Sequence, residues 1–294
     1  SPLVPVSLVF DDRRTNRIVP MADLVAGRLP PSWRVDSHAV RRLSDMLETH
    51  GLHGVLQRAP RHYMRASTLV RLLRNASAST SDSSLLARLY AKQVDLPLHL
   101  PAMLRLLDPP LLRWSTDAQE QGSDASALPL QEANLWLGHE QTLSDLHFDR
   151  RPNVLAVLSG RRRVLMVPPE VSSRRLRPAS LIDVQTRVEG DVAAVVARDQ
   201  PESEAVLLPE TWPSAAVDTN HFMARASDLR NELRPTRSGD TTNAEPPVCS
   251  FVVRAGDAIF IPPRWAHAVE TAAGRQVQPF AAAVNFFYAK PPTP

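Results

Sequence analysis

Two residues in the middle of the chain have the types and the spacing of metal ligands. His147 and Asp149 lie two positions apart in the stretch SDLHFD, just ahead of an apolar run. On an extended strand, residues two apart point to the same face, so this imidazole and this carboxylate can hold one cation between them. A His-x-Asp pair also arises by chance in a chain with nine histidines. The pair therefore needs a third ligand before it predicts a metal site.

The third candidate ligand is His267, far downstream. It lies in AGDAIFIPPRWAHAV, residues 255–269, which contains a Gly-Asp turn, an apolar strand and a Pro-Pro turn. Taken alone, a histidine in such a strand is most simply a core residue. Together with His147 and Asp149, however, it completes the set of two histidines and one carboxylate that suits non-haem Fe(II). Three ligands on one face leave coordination positions open for a bidentate 2-oxo acid and for dioxygen.

Composition limits the class of protein. All but two of the 34 basic residues are arginine, and acidic residues are interspersed almost one for one, giving a net charge of +3. This balance disfavours a dedicated nucleic-acid-binding protein. Cys249 is the single cysteine, so an intramolecular disulfide is excluded, which fits a reducing compartment. No apolar run reaches the roughly 18 residues of a spanning helix and no signal peptide is evident, so we expect an intracellular protein, in cytoplasm or nucleus, with no membrane partner.

The pattern of elements changes along the chain. Helical spacing of apolar residues predicts helices over 39–50 and 66–75, the second with Ser67 or Thr68 as N-cap, and a third over 100–110 that stops at Pro109. A strand is predicted over 85–93. Short segments that are bounded by Gly or Pro and read as strands follow at 133–138, 153–160, 162–169, 251–263 and 280–288. We therefore predict a helical or mixed region over 1–130 that packs on a β core over 131–294, with a long insertion at about 170–250; strands at short spacing favour a barrel or sandwich.

Five motifs occur in a fixed order: NLWLG, SDLHFD, NVLAVLSGRRRVLMVPP, RAGDAIFIPPRWAHAV and AVNFFY. In these motifs, and over roughly residues 60–290, the chain resembles the JmjC-type, cupin-like oxygenases that depend on Fe(II) and 2-oxoglutarate, and within them the small hydroxylase branch. The resemblance implies a mainly β fold with flanking helices and a double-stranded β-helix core, also called a jelly roll or cupin. It also implies that His147, Asp149 and His267 bind Fe(II), with 2-oxoglutarate and O2 as cosubstrates.

The residue that would anchor the far carboxylate of 2-oxoglutarate departs from the family pattern. The family usually has lysine on the strand after the Ser-Gly turn, and the matching position here is Arg162. Arginine can hold a carboxylate through two parallel hydrogen bonds, although its longer planar head changes the depth of the pocket. Strand alternation alone would equally allow Arg161 or Arg163, and only the resemblance selects Arg162.

Four further residues match positions that bind or flank the cosubstrate in the family: Tyr90, Ser144, Asn153 and Asn285. For each, a satisfied buried polar group is an equally simple reading. Trp136 is more simply a core residue than a platform for substrate.

The resemblance favours hydroxylation of a C–H bond on an amino-acid side chain in a protein substrate. Two alternatives share the core: demethylation of N-methyl-lysine and hydroxylation of an RNA base, which would make nucleic acid a partner. An alternative of another class is a catalytically inactive cupin-like binding or scaffold protein. The sequence does not decide the oligomeric state.

Overall fold

The computed structural model describes residues 1–10, 14–29, 37–76, 89–110, 113–114, 126–139, 141–188, 204–207, 217–223, 248–272 and 280–290. The helices are α1 (Met21–Val25), α2 (Ser37–Thr49), α3 (Ala66–Ala76), α4 (Leu96–His99), α5 (Pro101–Leu104) and α6 (Pro169–Arg175). The strands are β1 (Leu3–Leu8), β2 (Asn16–Pro20), β3 (Gly54–Arg58), β4 (Arg61–Arg65), β5 (Leu89–Asp95), β6 (Arg113–Trp114), β7 (Ser126–Ala127), β8 (Leu130–His139), β9 (His147–Phe148), β10 (Asn153–Ser159), β11 (Arg161–Val167), β12 (Pro178–Val188), β13 (Glu204–Leu207), β14 (Val217–Phe222), β15 (Cys249–Arg254), β16 (Ala258–Ile261), β17 (Ala266–Thr271) and β18 (Phe280–Tyr288).

Two large sheets build the molecule. The first has the strand order β16-β10-β18-β8-β5-β1-β4, and the second has the order β15-β11-β17-β9-β14-β12-β3-β2, with β13 paired to β12. A small β6-β7 pair stands apart from both. The pairing is antiparallel throughout the described strands except between β12 and β3, which run parallel. The prediction of a mainly β fold with flanking helices is confirmed, and two facing antiparallel sheets are the architecture of a jelly-roll core.

The space between the sheets holds an apolar cluster, called here the interior cluster. It consists of Leu155, Val157, Val164, Met166, Val253, Ile261 and Ala283. A second, larger cluster covers the opposite face of the first sheet, where α3 packs through Leu69, Leu72 and Leu73. Successive side chains of a strand alternate between its two faces, so each core strand contributes every second residue to the space between the sheets.

The N-terminal region contributes strands to both core sheets. The described parts of residues 1–95 contain five strands, with β1, β4 and β5 in the first sheet and β2 and β3 in the second. The region thus contains both helices and strands, and its strands continue the core sheets. The boundary at residue 130 stays a prediction.

The predicted helices are found at 39–50 and 66–75, with two corrections. Helix α3 begins at Ala66, so Ser67 and Thr68 lie inside its first turn and neither is the N-cap. The helix predicted over 100–110 is only the four-residue α5, which Pro101 separates from α4 because proline has no backbone N–H to continue the helical hydrogen bonds. Within the described residues, no helix has the length and hydropathy needed to cross a bilayer.

The insertion expected at about 170–250 contributes structure to the core. Its described parts are α6, β12, β13 and β14. Strand β14 pairs with β9, and β12 pairs with both β14 and β3, so the insertion joins the ligand-bearing strand to the N-terminal strands.

Candidate metal centre and cosubstrate pocket

The two-residue strand β9 brings the candidate ligands together. His147 lies opposite His267 of β17 on one side and opposite His221 of β14 on the other. Residues directly opposite each other in an antiparallel pair share a face of the sheet, so all three imidazoles face the interior. The ligand atoms of His147, Asp149 and His267 all lie within 4.8 Å of one another. Nε2 of His267 is 3.5 Å from Oδ2 of Asp149.

Backbone carbonyls orient both ligand imidazoles. Nδ1 of His147 is 2.7 Å from the carbonyl oxygen of Asp145, and Nδ1 of His267 is 3.0 Å from the carbonyl oxygen of Trp265. A carbonyl oxygen only accepts, so each Nδ1 carries a proton, and Nε2 is the ring nitrogen left for a metal. Such a partner for the non-ligating nitrogen is the usual arrangement for metal-bound histidine.

The carboxylate is held by a row of asparagines. Asn153, which is fully buried, donates from Nδ2 to Oδ2 of Asp149 at 2.8 Å. Asn285 in turn donates from Nδ2 to Oδ1 of Asn153 at 3.1 Å. These bonds connect the residue after β9 with β10 and β18 and fix the orientation of the Asp149 carboxylate. The structure thus places Asn153 and Asn285 behind the carboxylate, and a direct contact of either with cosubstrate stays a prediction.

Electrostatics keep the central imidazole neutral. The pKa of His147 lies well below its ordinary range because the ring is buried, and because His267 and His221 stand next to it. The ring of His221 stacks on that of His147, with centroids 5.5 Å apart, and its Nδ1 lies 2.7 Å from Oδ1 of Asp218. The pKa of Asp218 is held at about 2, because the bond and charge of His221 together with other partners outweigh the effect of burial.

A second set of polar groups lies further along β17, the strand that carries His267, and along its neighbour β11. Met166 of β11 is opposite His267, and Arg162 of β11 is opposite Thr271 of β17. Four residues of strand separate the two pairs, which corresponds to roughly 13 Å at 3.3 Å per residue. We call the site of His147, Asp149 and His267 the metal end, and the surroundings of Arg162 the anchor end.

Arg162 is almost completely buried, with 1% of its surface exposed. Its guanidinium donates to the hydroxyl of Thr271 and to the backbone carbonyl oxygens of Trp136 and Ala281, the last two at 3.3 and 3.2 Å. All three partners are neutral, and Nε has no hydrogen-bond partner within the described residues. A buried cation that lacks both a counterion and one acceptor is costly, so this arrangement suits an anionic ligand.

Tyr90 completes the anchor end. The guanidinium carbon of Arg162 lies 6.0 Å from the centre of the Tyr90 ring. Burial raises the pKa of Tyr90, although Arg162 opposes this, so the phenol stays a neutral donor. The ring lies directly on Gly138 of β8, where an added Cβ would be 2.1 Å from Cδ2 of Tyr90. Glycine at this position is therefore what allows Tyr90 to occupy the pocket.

The consecutive arginines of β11 have different surroundings in the structure. Arg162 points between the sheets, whereas Arg163 forms a partly exposed ion pair with Glu270 at 3.0 Å. Ser144 lies on the metal side, where its Oγ accepts from the backbone N–H of Val269 at 2.8 Å. Ser144 thus ties the segment before β9 to β17, and its contact with cosubstrate stays a prediction.

Sequence reasoning missed three groups near the site. Thr271 lies four residues after His267 on one strand, and period-two alternation could have placed it on the same face. His221 lies in the weakly patterned insertion, which carried no signal for it. Lys92, two residues after Tyr90, donates from Nζ to Oδ1 of Asn16 at 2.9 Å, a contact between the two sheets that no local pattern predicts.

The residues fit the groups that the resemblance implies. Two imidazoles oriented through Nδ1 and one oriented carboxylate are a donor set for Fe(II). The uncompensated guanidinium at the anchor end provides charge and an unused N–H for a carboxylate. The backbone positions of the two ends lie roughly 13 Å apart along the paired strands β11 and β17.

Comparisons with known proteins agree with this site. The family model described as Cupin-like domain matches residues 39–294. The human protein named bifunctional peptidase and (3S)-lysyl hydroxylase JMJD7 is 28% identical over 197 residues, which cover 66% of this chain and 50% of that protein. The Arabidopsis thaliana protein named lysine-specific demethylase JMJ31 is 24% identical over 162 residues, which cover 55% of this chain and 22% of that protein. This chain thus matches half or less of the length of either relative.

A solved structure, the X-ray structure of E. coli ycfD, matches with a TM-score of 0.26 and 10% identity, covering 56% of this chain and 27% of that one, which is too low for a comparison of folds. The domain match, by contrast, extends from α2 to the last residue and includes every residue of the metal and anchor ends. The chain therefore belongs to the cupin-like family, and its relatives place it with the JmjC type within that family.

Proposed function

We propose that the protein is an Fe(II)- and 2-oxoglutarate-dependent oxygenase that hydroxylates a C–H bond of an amino-acid side chain in a protein substrate. The observation that carries the proposal is the convergence of His147, Asp149 and His267 within 4.8 Å, each oriented by a hydrogen-bond partner. When bound, iron with 2-oxoglutarate and O2 supplies the oxidising chemistry, in which the cosubstrate is converted to succinate and CO2 and the substrate gains a hydroxyl group.

The chain's own residues position the reactants. His147, Asp149 and His267 would hold the metal on one face and leave the opposite face open. Arg162 would bind the far carboxylate of 2-oxoglutarate, with the Tyr90 hydroxyl as a further donor. The two ends share the strands β11 and β17, so the position of the cosubstrate relative to the metal is set by the rigid sheet.

A protein substrate is supported by the relatives. Both carry names that refer to action on lysine, one as a hydroxylase and one as a demethylase. We propose a lysine side chain as the first target to test, and hydroxylation as the outcome.

The test is succinate formation from 2-oxoglutarate with Fe(II) and ascorbate, followed by mass spectrometry of lysine-containing protein and peptide pools. We expect iron-dependent succinate and a mass gain of one oxygen atom on a substrate. His147→Ala should abolish both, while His38→Ala, an exposed histidine on α2, is the matched control and should abolish neither. Succinate formation that persists in His147→Ala would contradict the proposal.

Two alternatives give different products in the same experiment. A demethylase would release formaldehyde from methylated lysine peptides and leave no hydroxyl group, whereas an RNA hydroxylase would oxidise RNA and no peptide. A scaffold protein without catalysis would not respond to cosubstrate. Binding of Mn(II) with N-oxalylglycine, a non-reactive analogue, should stabilise an oxygenase by about 2.7 kcal/mol at 100 times its Kd.

A further inference from the structure

A tryptophan side chain at the anchor end has a buried donor without an acceptor. Trp136 lies on β8 opposite Ala283 of β18, and Ala283 belongs to the interior cluster. Paired residues share a face, so the indole of Trp136 also lies between the two sheets. Its ring centroid is 6.1 Å from that of Tyr90. The indole Nε1 is buried, and it has no hydrogen-bond partner within the described residues.

Buried N–H groups are nearly always paired in folded proteins, and an unpaired one calls for a reason. At the anchor end two such donors occur together, Nε1 of Trp136 and Nε of Arg162. They belong to neighbouring residues in space, since Arg162 also donates to the carbonyl oxygen of Trp136. Two unused donors and one uncompensated positive charge in the same interior space match a carboxylate, which offers two oxygen atoms and a negative charge.

Trp136 lies nearer to the anchor end than to the metal end. Along the interior face of β8, Gly138 is opposite Tyr90, and Asn134 is opposite Asn285, which belongs to the row behind Asp149. Trp136 lies between these two, and both its backbone bond to Arg162 and its ring contact to Tyr90 are on the anchor side.

We propose that the indole N–H of Trp136 donates a hydrogen bond to the far carboxylate of 2-oxoglutarate, making Trp136 a cosubstrate-binding residue beside Arg162 and Tyr90. The inference rests on the proposed function, because it takes 2-oxoglutarate as the ligand. It gives the indole N–H of Trp136 a binding role, which an interpretation of Trp136 as a core residue does not. It also explains why a bulky indole lies in the pocket of the arginine anchor.

The test measures binding to protein loaded with Mn(II), which holds the metal position without turnover. Calorimetry would give the Kd of 2-oxoglutarate and of pyruvate, a 2-oxo acid that has the same head but lacks the far carboxylate. Trp136→Phe keeps an aromatic ring and removes the donor. We expect it to raise the Kd of 2-oxoglutarate roughly tenfold, in the range for a hydrogen bond to a charged group, and to leave the Kd of pyruvate and of Mn(II) unchanged.

An unchanged Kd for 2-oxoglutarate in Trp136→Phe would overturn the inference, because it would show that no hydrogen bond to the cosubstrate was lost. An equal rise in the Kd of 2-oxoglutarate and of pyruvate would also overturn it, because it would indicate a packing effect. Wild-type protein that binds Mn(II) but not 2-oxoglutarate would instead overturn the proposed function, and the inference with it. Should Trp136→Phe not fold, NMR of wild-type protein with labelled indoles decides. The Trp136 N–H signal, assigned by Trp→Phe variants of the other four tryptophans, must shift with 2-oxoglutarate and not with pyruvate.

Discussion

The metal end and the anchor end meet the two ends of the same strand, β17, yet their polar groups are paired to different degrees. At the metal end, each of the three candidate ligands has a hydrogen-bond partner: two backbone carbonyls hold the imidazoles, and Asn153, itself bonded by Asn285, holds the carboxylate. At the anchor end, Arg162 has only neutral partners, and Nε of Arg162 and Nε1 of Trp136 have none among the described residues. The metal end is thus preorganised by the protein, whereas the anchor end is completed by its ligand.

This difference predicts that substitutions at the two ends weaken the binding of different ligands. Substitutions at the metal end should weaken metal binding, and substitutions at the anchor end should weaken cosubstrate binding while metal binding persists. If a substitution at either end weakened metal binding and cosubstrate binding together, the two ends would behave as one unit.

The largest effect is expected for Asp149→Ala. Loss of the only carboxylate among the three candidate ligands should weaken Fe(II) or Mn(II) binding by more than about 100-fold, beyond the range for residues that only support a ligand, and reduce succinate formation to background. Calorimetry with Mn(II) measures the first quantity. Asp45→Ala on the exposed face of α2 is the matched control, and equal metal affinity in both variants would remove Asp149 from the site.

At the anchor end, Arg162→Ala should raise the 2-oxoglutarate concentration needed for half-maximal activity by roughly 100-fold, since hydrogen bonds to a charged group are lost. The Mn(II) affinity should stay within about twofold of wild type. Arg163→Ala, which breaks only the partly exposed ion pair with Glu270, is the control and should leave both quantities unchanged. A 2-oxoglutarate requirement that stays the same in Arg162→Ala would move the anchor to another cation.

A smaller effect is expected for Asn153→Ala, which leaves all three ligands in place. It removes the 2.8 Å bond to Asp149 and leaves Asn285 without its acceptor. We expect metal affinity to fall about tenfold, as for other residues that orient a ligand. The affinity for 2-oxoglutarate, measured at saturating Mn(II), should not change. A selective loss of 2-oxoglutarate binding would instead make Asn153 a cosubstrate contact.

The smallest effect concerns stability against pH. Lys92 resembles Arg162 at the anchor end, because it too is a buried basic group whose hydrogen-bond partner is neutral, here the side-chain amide of Asn16. Burial, helped by the charge of Arg58, lowers the pKa of Lys92 from 10.5 to about 7, although Asp145 and Asp183 oppose this. Between pH 7 and 10.5 the unfolded chain therefore binds more protons than the folded one, so the free energy of unfolding rises with pH, by at most about 1.4 kcal/mol per pH unit.

Urea unfolding between pH 7 and 9.5 measures this slope. Lys92→Met should flatten it, while Lys290→Met, at an exposed position, should not. The chain has no other lysine, so few groups titrate in this window. An identical slope in wild type and Lys92→Met would show that the amine is solvated in the folded state.

The residues of the site were predictable to different degrees. His147, Asp149 and His267 could be identified because ligand chemistry restricts residue types and strand alternation restricts spacing. Among three adjacent arginines, alternation could not tell whether the odd or the even positions face inward; the pairing of Arg162 with Thr271 and its burial decide this. His221 and Asn16 reach the site through pairing between segments distant in sequence, which no local pattern contains. Strands β1 to β4 of the N-terminal region were missed for the same reason, since a sheet edge is completed by non-local partners, whereas β5 overlaps the strand predicted over 85–93.

The short ligand strand has a consequence for how the protein reaches its native state. β9 is only two residues long, and both of its neighbours, β14 and β17, come later in the chain. Contacts between distant segments require closure of long loops, which slows folding. During synthesis from the N-terminus, residues 150–266 must therefore emerge before His147 and Asp149 can meet His267, and the centre matures only when translation of the domain is almost complete.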